Sequence, residues 1–172
     1  MLDNLFEHPE FREHRYWRRQ RYTTNETIIT EGGQGRELFL VRHGMVRVTG
    51  CAQLEQGGAI HPGFCDLGPG NVFGEVGLLP GLTRMATVIA VMDCELAVID
   101  GAGLLEFFDA YPGVGYRVML AMYEQTANRL DQTNRQLLRL LAWGLRVHKI
   151  EDHLGTGSGV AGAASRLTRK AG

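Results

Sequence analysis

The sequence predicts a mainly β fold with flanking helices: a sandwich, barrel or jelly roll followed by one long helix. Three observations predict it. Short β-branched or apolar runs recur between glycine-rich breaks from residue 22 to about residue 100. Glycine is abundant, 23 residues against about twelve for an average chain of this length, as a fold with many tight turns requires. From about Gly115 to about Leu154 the apolar spacing becomes helical and stays so.

In chain order, residues 1–21 mix apolar Leu5, Phe6, Phe11 and Trp17 with many charges, which predicts a short helical segment interrupted or restarted at Pro9. The β domain is expected over 22–112. Thr27–Thr30 is β-branched, Gly32–Gly35 is a loop, and Leu38–Val41 reads as a buried strand. Gly44 punctuates before the alternating Met45–Thr49. Residues 50–63 read as an irregular hairpin, and Phe64–Leu67 as a strand before the Gly68-Pro69-Gly70 turn. Ala86–Val91 and Leu96–Ile99 complete the strands, and Leu104–Tyr111 is a helical turn stopped at Pro112. A long helix is expected over 113–154. Within it Tyr123, Thr126, Leu130, Thr133, Leu137, Leu140 and Gly144 alternate spacings of three and four, the seam of a helix that packs on a partner helix. Roughly forty residues at 1.5 Å each would reach about 60 Å, which overhangs a domain of this size and predicts a parallel homodimer seam. The Gly/Ala/Ser/Thr-rich tail, 155–172, is expected to be disordered.

Composition narrows the function classes. A formal net charge of -1 argues against a chain built mainly to bind nucleic acid or anionic membrane. Arg12, Arg15, Arg18, Arg19 and Arg21 form a basic run, read as the solvated face of a helix rather than a nucleic-acid arm. Cys51, Cys65 and Cys94 fit no zinc or iron–sulfur spacing. Reduced thiols, no secretory leader and no apolar run near ~18 residues predict a cytoplasmic protein without a membrane span.

The stretch Phe73-Gly74-Glu75-Val76-Gly77 to Arg84-Met85 carries the chemistry. Exposed backbone N–H groups at a helical turn bind phosphate, with Gly74 and Gly77 leaving the backbone unobstructed. An arginine neutralises the phosphate through a forked, charge-assisted hydrogen bond. A glutamate accepts from a sugar hydroxyl. Each residue also has a plainer role: Glu75 can cap its own turn, Arg84 can pair with a structural carboxylate, and Thr133 can set helix register.

These residues, with Gly32, Gly35, Leu38–Gly44, Pro69–Glu75, Arg84–Val88 and Cys94–Leu96 in order, resemble the phosphate-binding cassette and flanking strands of cyclic-nucleotide-binding domains. The helix resembles the dimer helix of the bacterial catabolite-activator branch. The resemblance implies a double-stranded β-helix (jelly roll) and a regulatory sensor that signals through its dimer helix on binding a cyclic purine mononucleotide, cyclic AMP ahead of cyclic GMP, with no other cofactor and no metal. It places Arg84 and the Gly74–Gly77 amides, with Phe73 and Val76 in the same run, on the phosphate, and Glu75 on the ribose 2′-hydroxyl. Val48 and Phe64 become apolar walls near the base. Thr133 and Asn134, where that branch has a Thr-Ser pair, would cover the base. Met85 stands where the family has a small residue, which leaves the purine undecided. That branch continues into a winged helix-turn-helix. After Leu154 the resemblance finds none, so no direct DNA reading is expected from this chain, and output to a downstream protein partner is.

Rival expectations are a ligand-free dimeric interaction module of the same fold and a truncated catabolite-activator-like regulator. A haem or redox sensor built on His61 and Cys65 is a third. No nucleophile–base–orienter set is visible, so no enzyme is expected.

Overall fold

The computed structural model describes residues 3–50, 52–53, 59–60, 63–79 and 81–147. A short helix, α1 (Asp3–Phe6), precedes β1 (Trp17–Tyr22), β2 (Thr27–Ile29), β3 (Leu38–His43), β4 (Val46–Thr49), β5 (Ala52–Gln53), β6 (Ala59–Ile60), β7 (Gly63–Leu67) and β8 (Val72–Phe73). A 3-10 turn over Glu75–Leu78 leads to β9 (Thr87–Ala90), β10 (Cys94–Ile99), α2 (Gly101–Ala110) and α3 (Pro112–Val147). Two four-stranded antiparallel sheets run β1-β10-β3-β8 and β2-β9-β4-β7, and β5 pairs with β6 as a separate ribbon. This is the jelly-roll arrangement expected, mainly β with helices at both ends.

The first sheet is buried on both faces. Phe39, Val41, Leu96 and Val98 point into the space between the sheets, with Ile29, Val46 and Val88. Leu38, Leu40, Ala97 and Ile99 point the other way, onto Leu5, Phe11, Leu104, Phe107, Val118 and Met122. Hence Leu38–Val41 reads as an unbroken apolar run rather than an alternating one. Gly44 takes φ 86° and has Asp93 O 2.5 Å from where a Cβ would stand, so the β3–β4 turn admits no side chain.

Three expectations are corrected. The segment over 1–21 is not helical throughout: its helix spans four residues, and residues 17–21 belong to β1, which pairs with β10 along its length. The arginines hide the period-two pattern. Arg19 and Arg21 lie on the outward face and pair with Glu95, which stands opposite Arg21 in the register. They are therefore solvated strand residues, not a helix face. Nor does Pro112 only end a helix. It excludes Tyr111 from helical geometry, so α2 stops, and it then opens α3, where its missing N–H costs nothing. At the other end of α2, the Asp100 carboxylate accepts from Gly103 N at 2.7 Å as the N-cap.

The chain divides into two compact units, with the boundary between Leu130 and Asp131 inside α3. In the second unit, residues 131–141 are exposed without exception. The end of the expected long helix, 148–154, and the expected tail, 155–172, lie outside the described residues. No helix among the described residues is long and apolar enough to cross a membrane.

Candidate ligand-binding site

The cassette begins at β8, where Phe73 stacks on Phe39 with centroids 5.0 Å apart, inside the sandwich core. Gly74 follows with φ 80°, a left-handed turn that no β-branched residue would take, and it starts the 3-10 turn Glu75–Leu78. Beyond that turn the chain returns to Arg84, whose backbone pairs with the glycine loop in both directions. Gly32 N donates to Arg84 O and Arg84 N donates to Gly33 O, each at 2.8 Å.

The Arg84 side chain is 7% exposed and turned inward. Nη1 donates to Gly74 O at 3.0 Å, and Nη2 donates to Glu37 O at 2.9 Å and to Glu37 Oε2 at 3.2 Å. Its guanidinium lies over the Phe39 ring, 5.8 Å from the centroid. The space it fills exists because Gly77 has no side chain: a Cβ there would stand 2.6 Å from Gly35 O and 2.7 Å from Arg84 Nη1. Gly74 and Gly77 thus make room for the arginine as well as baring the backbone.

Glu75 is engaged elsewhere. Its Oε1 accepts from Thr126 Oγ1 at 3.3 Å and pairs with Arg129 Nη1 at 3.3 Å, both on α3 within the first unit. Arg129 Nη2 also donates to Val72 O and to Gln125 Oε1. Gln125 in turn accepts from Val72 N and donates to Gly70 O, each at 3.0 Å. The helix therefore satisfies backbone groups along β8, the edge strand that leads into the cassette.

Glu75 and Arg84 make no bond to one another, so each belongs to its own polar cluster. Val76 is half-buried and Gly77 buried. The Phe73 ring is packing, buried in the core. Val48 packs partly buried against the inter-sheet core. The side chain of Phe64 lies outside the described residues. Met85 is 73% exposed and does not enter the interior. Thr133 and Asn134 are exposed on the part of α3 that belongs to the second unit.

Four residues of these clusters were not singled out from the sequence as site residues: Glu37, Gln125, Thr126 and Arg129. Gln125 and Arg129 are four apart on one helix face, which is the pattern that could have marked them. Thr126, read as a partner-helix seam position, instead reaches Glu75 of its own β domain.

Burial pushes the Cys65 and Cys94 thiols above their ordinary value, which disfavours the thiolate needed for ligation or attack. His61 lies outside the described residues. Among those described, no group of three His, Cys, Asp or Glu side chains is placed to hold a metal ion.

Comparison with known proteins agrees with this geometry. Residues 19–111, more than half of the chain, match the family described as the cyclic nucleotide-binding domain. The cyclic AMP receptor protein of Thermus thermophilus is 30% identical over 145 residues, covering 76% of this chain and 64% of that protein. The human potassium/sodium hyperpolarization-activated cyclic nucleotide-gated channel 2 is 28% identical over 137 residues, 79% of this chain and 13% of the channel. The structure of the c-di-GMP responsive global regulator CLP of Xanthomonas campestris superposes with a TM-score of 0.65 at 26% identity, covering 73% of this chain and 60% of that one. The chain thus spans less than two thirds of the length of each of these relatives. Cassette, sheet order and family match converge: the chain belongs to the cyclic nucleotide-binding domain family.

Proposed function

We propose that the chain is a sensor module that reversibly binds a cyclic purine mononucleotide, with cyclic AMP as the first candidate, and reports occupancy through α3. In this reading Arg84 and the backbone amides between Gly74 and Gly77 hold the cyclic phosphate, and Glu75 takes the ribose 2′-hydroxyl. Thr133 and Asn134, from the partner subunit of a homodimer, cover the base. Val48 and Phe64 serve as apolar walls. The observation that carries the proposal is the position of Glu75. Its carboxylate is shared with Thr126 and Arg129 of α3, so a sugar hydroxyl that engages Glu75 alters the contacts that fix the helix. Differential contact of this kind is what a ligand needs in order to shift a conformational equilibrium.

The relative of Xanthomonas campestris is named for its response to c-di-GMP, and one feature favours keeping a cyclic dinucleotide as the second reading. Met85 leaves an exposed apolar surface beside the cassette, with Leu79 and Leu82 also exposed, on which a second purine can rest. Calorimetry with cyclic AMP, cyclic GMP, linear AMP and c-di-GMP separates the readings. Cyclic AMP is expected to give saturable heat, and Arg84→Ala is expected to weaken it by about 10- to 150-fold, the scale of one hydrogen bond to a charged group, about 1.5–3 kcal/mol. No heat from any cyclic nucleotide, with Arg84→Ala indistinguishable from wild type, would end the ligand reading and leave an interaction module.

A further inference from the structure

A guanidinium carries five N–H donors, and Arg84 directs three of them at its own protein. Their distribution matters more than their number. Both acceptors of Nη2 belong to Glu37, its carbonyl and its carboxylate. An oxyanion grips a guanidinium with two parallel bonds through Nε with Nη2, or through Nη1 with Nη2. Both forks need Nη2. The Glu37 carboxylate therefore stands where a phosphate oxygen would have to be received.

The fold makes this pair deliberate in geometry. Gly35 precedes it, and a Cβ at Gly35 would stand 2.8 Å from Glu37 Oε2 and 2.9 Å from Arg84 Nη2. The Glu37 side chain is 42% exposed, whereas its partner is 7% exposed. It lines an open cleft of about 340 Å³ between β1 and β2, edge strands of the two sheets. Arg18 lines the same cleft. Its side chain is exposed and makes no hydrogen bond or ion pair with any described residue.

We propose that Glu37 is an internal competitor for the ligand's phosphate: its carboxylate occupies the Nη2 fork of Arg84 and must swing into the β1–β2 cleft, toward Arg18, before the phosphate is held by two hydrogen bonds. The proposal rests on the cyclic-nucleotide reading for the identity of the anion, and on the geometry alone for the competition. It makes Glu37 an affinity-setting residue and Arg18 the acceptor of the released carboxylate.

The experiment compares the full chain with Glu37→Gln, Glu37→Asp and Arg18→Glu. Cyclic AMP binding is measured by calorimetry, and stabilisation by inorganic phosphate is measured by thermal shift. Glu37→Gln is expected to bind cyclic AMP about tenfold more tightly, the scale of one charge-assisted hydrogen bond. It should also gain more stabilisation from inorganic phosphate than wild type. Arg18→Glu is expected to bind more weakly, because the released carboxylate meets a like charge. Glu37→Asp keeps the charge but shortens the reach to Nη2, so it should fall between wild type and Glu37→Gln, and it serves if the amide variant does not fold. Equal or weaker cyclic AMP binding in the Glu37 variants would show that Glu37 orients Arg84 instead, and would overturn the proposal. If no variant binds any cyclic nucleotide, the functional reading fails separately. The phosphate shift then decides the competition: a gain in the Glu37 variants supports it, and no gain overturns it.

Discussion

In the first unit Arg129 bonds the Glu75 carboxylate and the Val72 carbonyl, beside Gln125 on its own helix. Its side chain is 20% exposed and that of Glu75 is 19% exposed, so the pair is shielded enough for its loss to be felt. Arg129→Met keeps the aliphatic stem and removes the charge. Among the described residues it leaves Glu75 with the Thr126 hydroxyl alone, and it takes one donor from Val72 O. The expected cost is about 1–3 kcal/mol, the range for leaving partly buried polar groups without a partner, read as a lower urea midpoint at unchanged slope. An unchanged midpoint would mean that solvent replaces Arg129 fully and that the helix is not fastened through Glu75. The turn after Gly74 was legible in the sequence because Gly74, Glu75 and Gly77 are close along the chain, and Arg84 returns to it within ten residues. Glu37 and Arg129 were not. They reach the cassette from 47 residues before Arg84 and 54 residues after Glu75; the spacing of four from Gln125 marks the helix face of Arg129 but not the strand that it reaches. The inward turn of Arg84 was equally hidden, since residue type tells that an arginine can bind phosphate but not what it already holds.

Among the elements, β4 and β7 are joined by a forked pair. Arg47 and Asp66 stand opposite each other in the register, with Arg47 Nε 2.6 Å from Oδ1 and Nη2 2.7 Å from Oδ2. The hydrogen bond from Arg47 holds the Asp66 carboxyl below its ordinary value. A carboxylate lowered in the folded state contributes stability above its unfolded value, and that contribution is lost as pH falls through the folded value. Asp66→Asn should therefore melt slightly below wild type at neutral pH, and the difference should vanish in acid, below the ordinary aspartate range. Both side chains are exposed to solvent, so the effect is small and shrinks in molar salt. Melting curves across pH and salt check it; a difference that persists in acid would assign the loss to packing instead. The strands around this pair were legible wherever one face is wet, as in Met45–Thr49, because alternation then shows. β1 was not, because arginines occupy both its outward face and the cleft edge. The start of α3 was expected one residue late, at 113, because proline was read as a stop, when at a first helical position it also begins a helix.

At the scale of the whole molecule, the question is what covers the apolar side chains of α3 beyond the unit boundary. Leu137, Leu138, Leu140, Leu141 and Trp143 are all more than half exposed, within seven residues of the helix, where the other two positions are Arg139 and Ala142. Contiguous apolar surface of this kind is uncommon on a monomer and marks an interaction face. Leu130, Leu137 and Leu140 keep the three-four spacing of a two-helix seam, so a second copy of the chain is the proposed cover, with each α3 meeting its symmetry mate. Sedimentation equilibrium at micromolar concentration is expected to report twice the 19.1 kDa chain mass. Leu137→Lys with Leu140→Lys, which places like charges in the seam, is expected to report one. The same variant tests the functional reading from a second direction. Neither lysine is near the cassette in sequence, so a pocket complete within one chain would keep its cyclic AMP affinity after the dimer is lost. If Thr133 and Asn134 reach the base from the partner subunit, affinity should fall about tenfold, the loss of roughly 1.4 kcal/mol of contact. Inorganic phosphate should then stabilise both forms alike, because the cassette backbone and Arg84 belong to one chain. A wild type that sediments as a monomer would remove the partner subunit, and with it Thr133 and Asn134, from the proposed site.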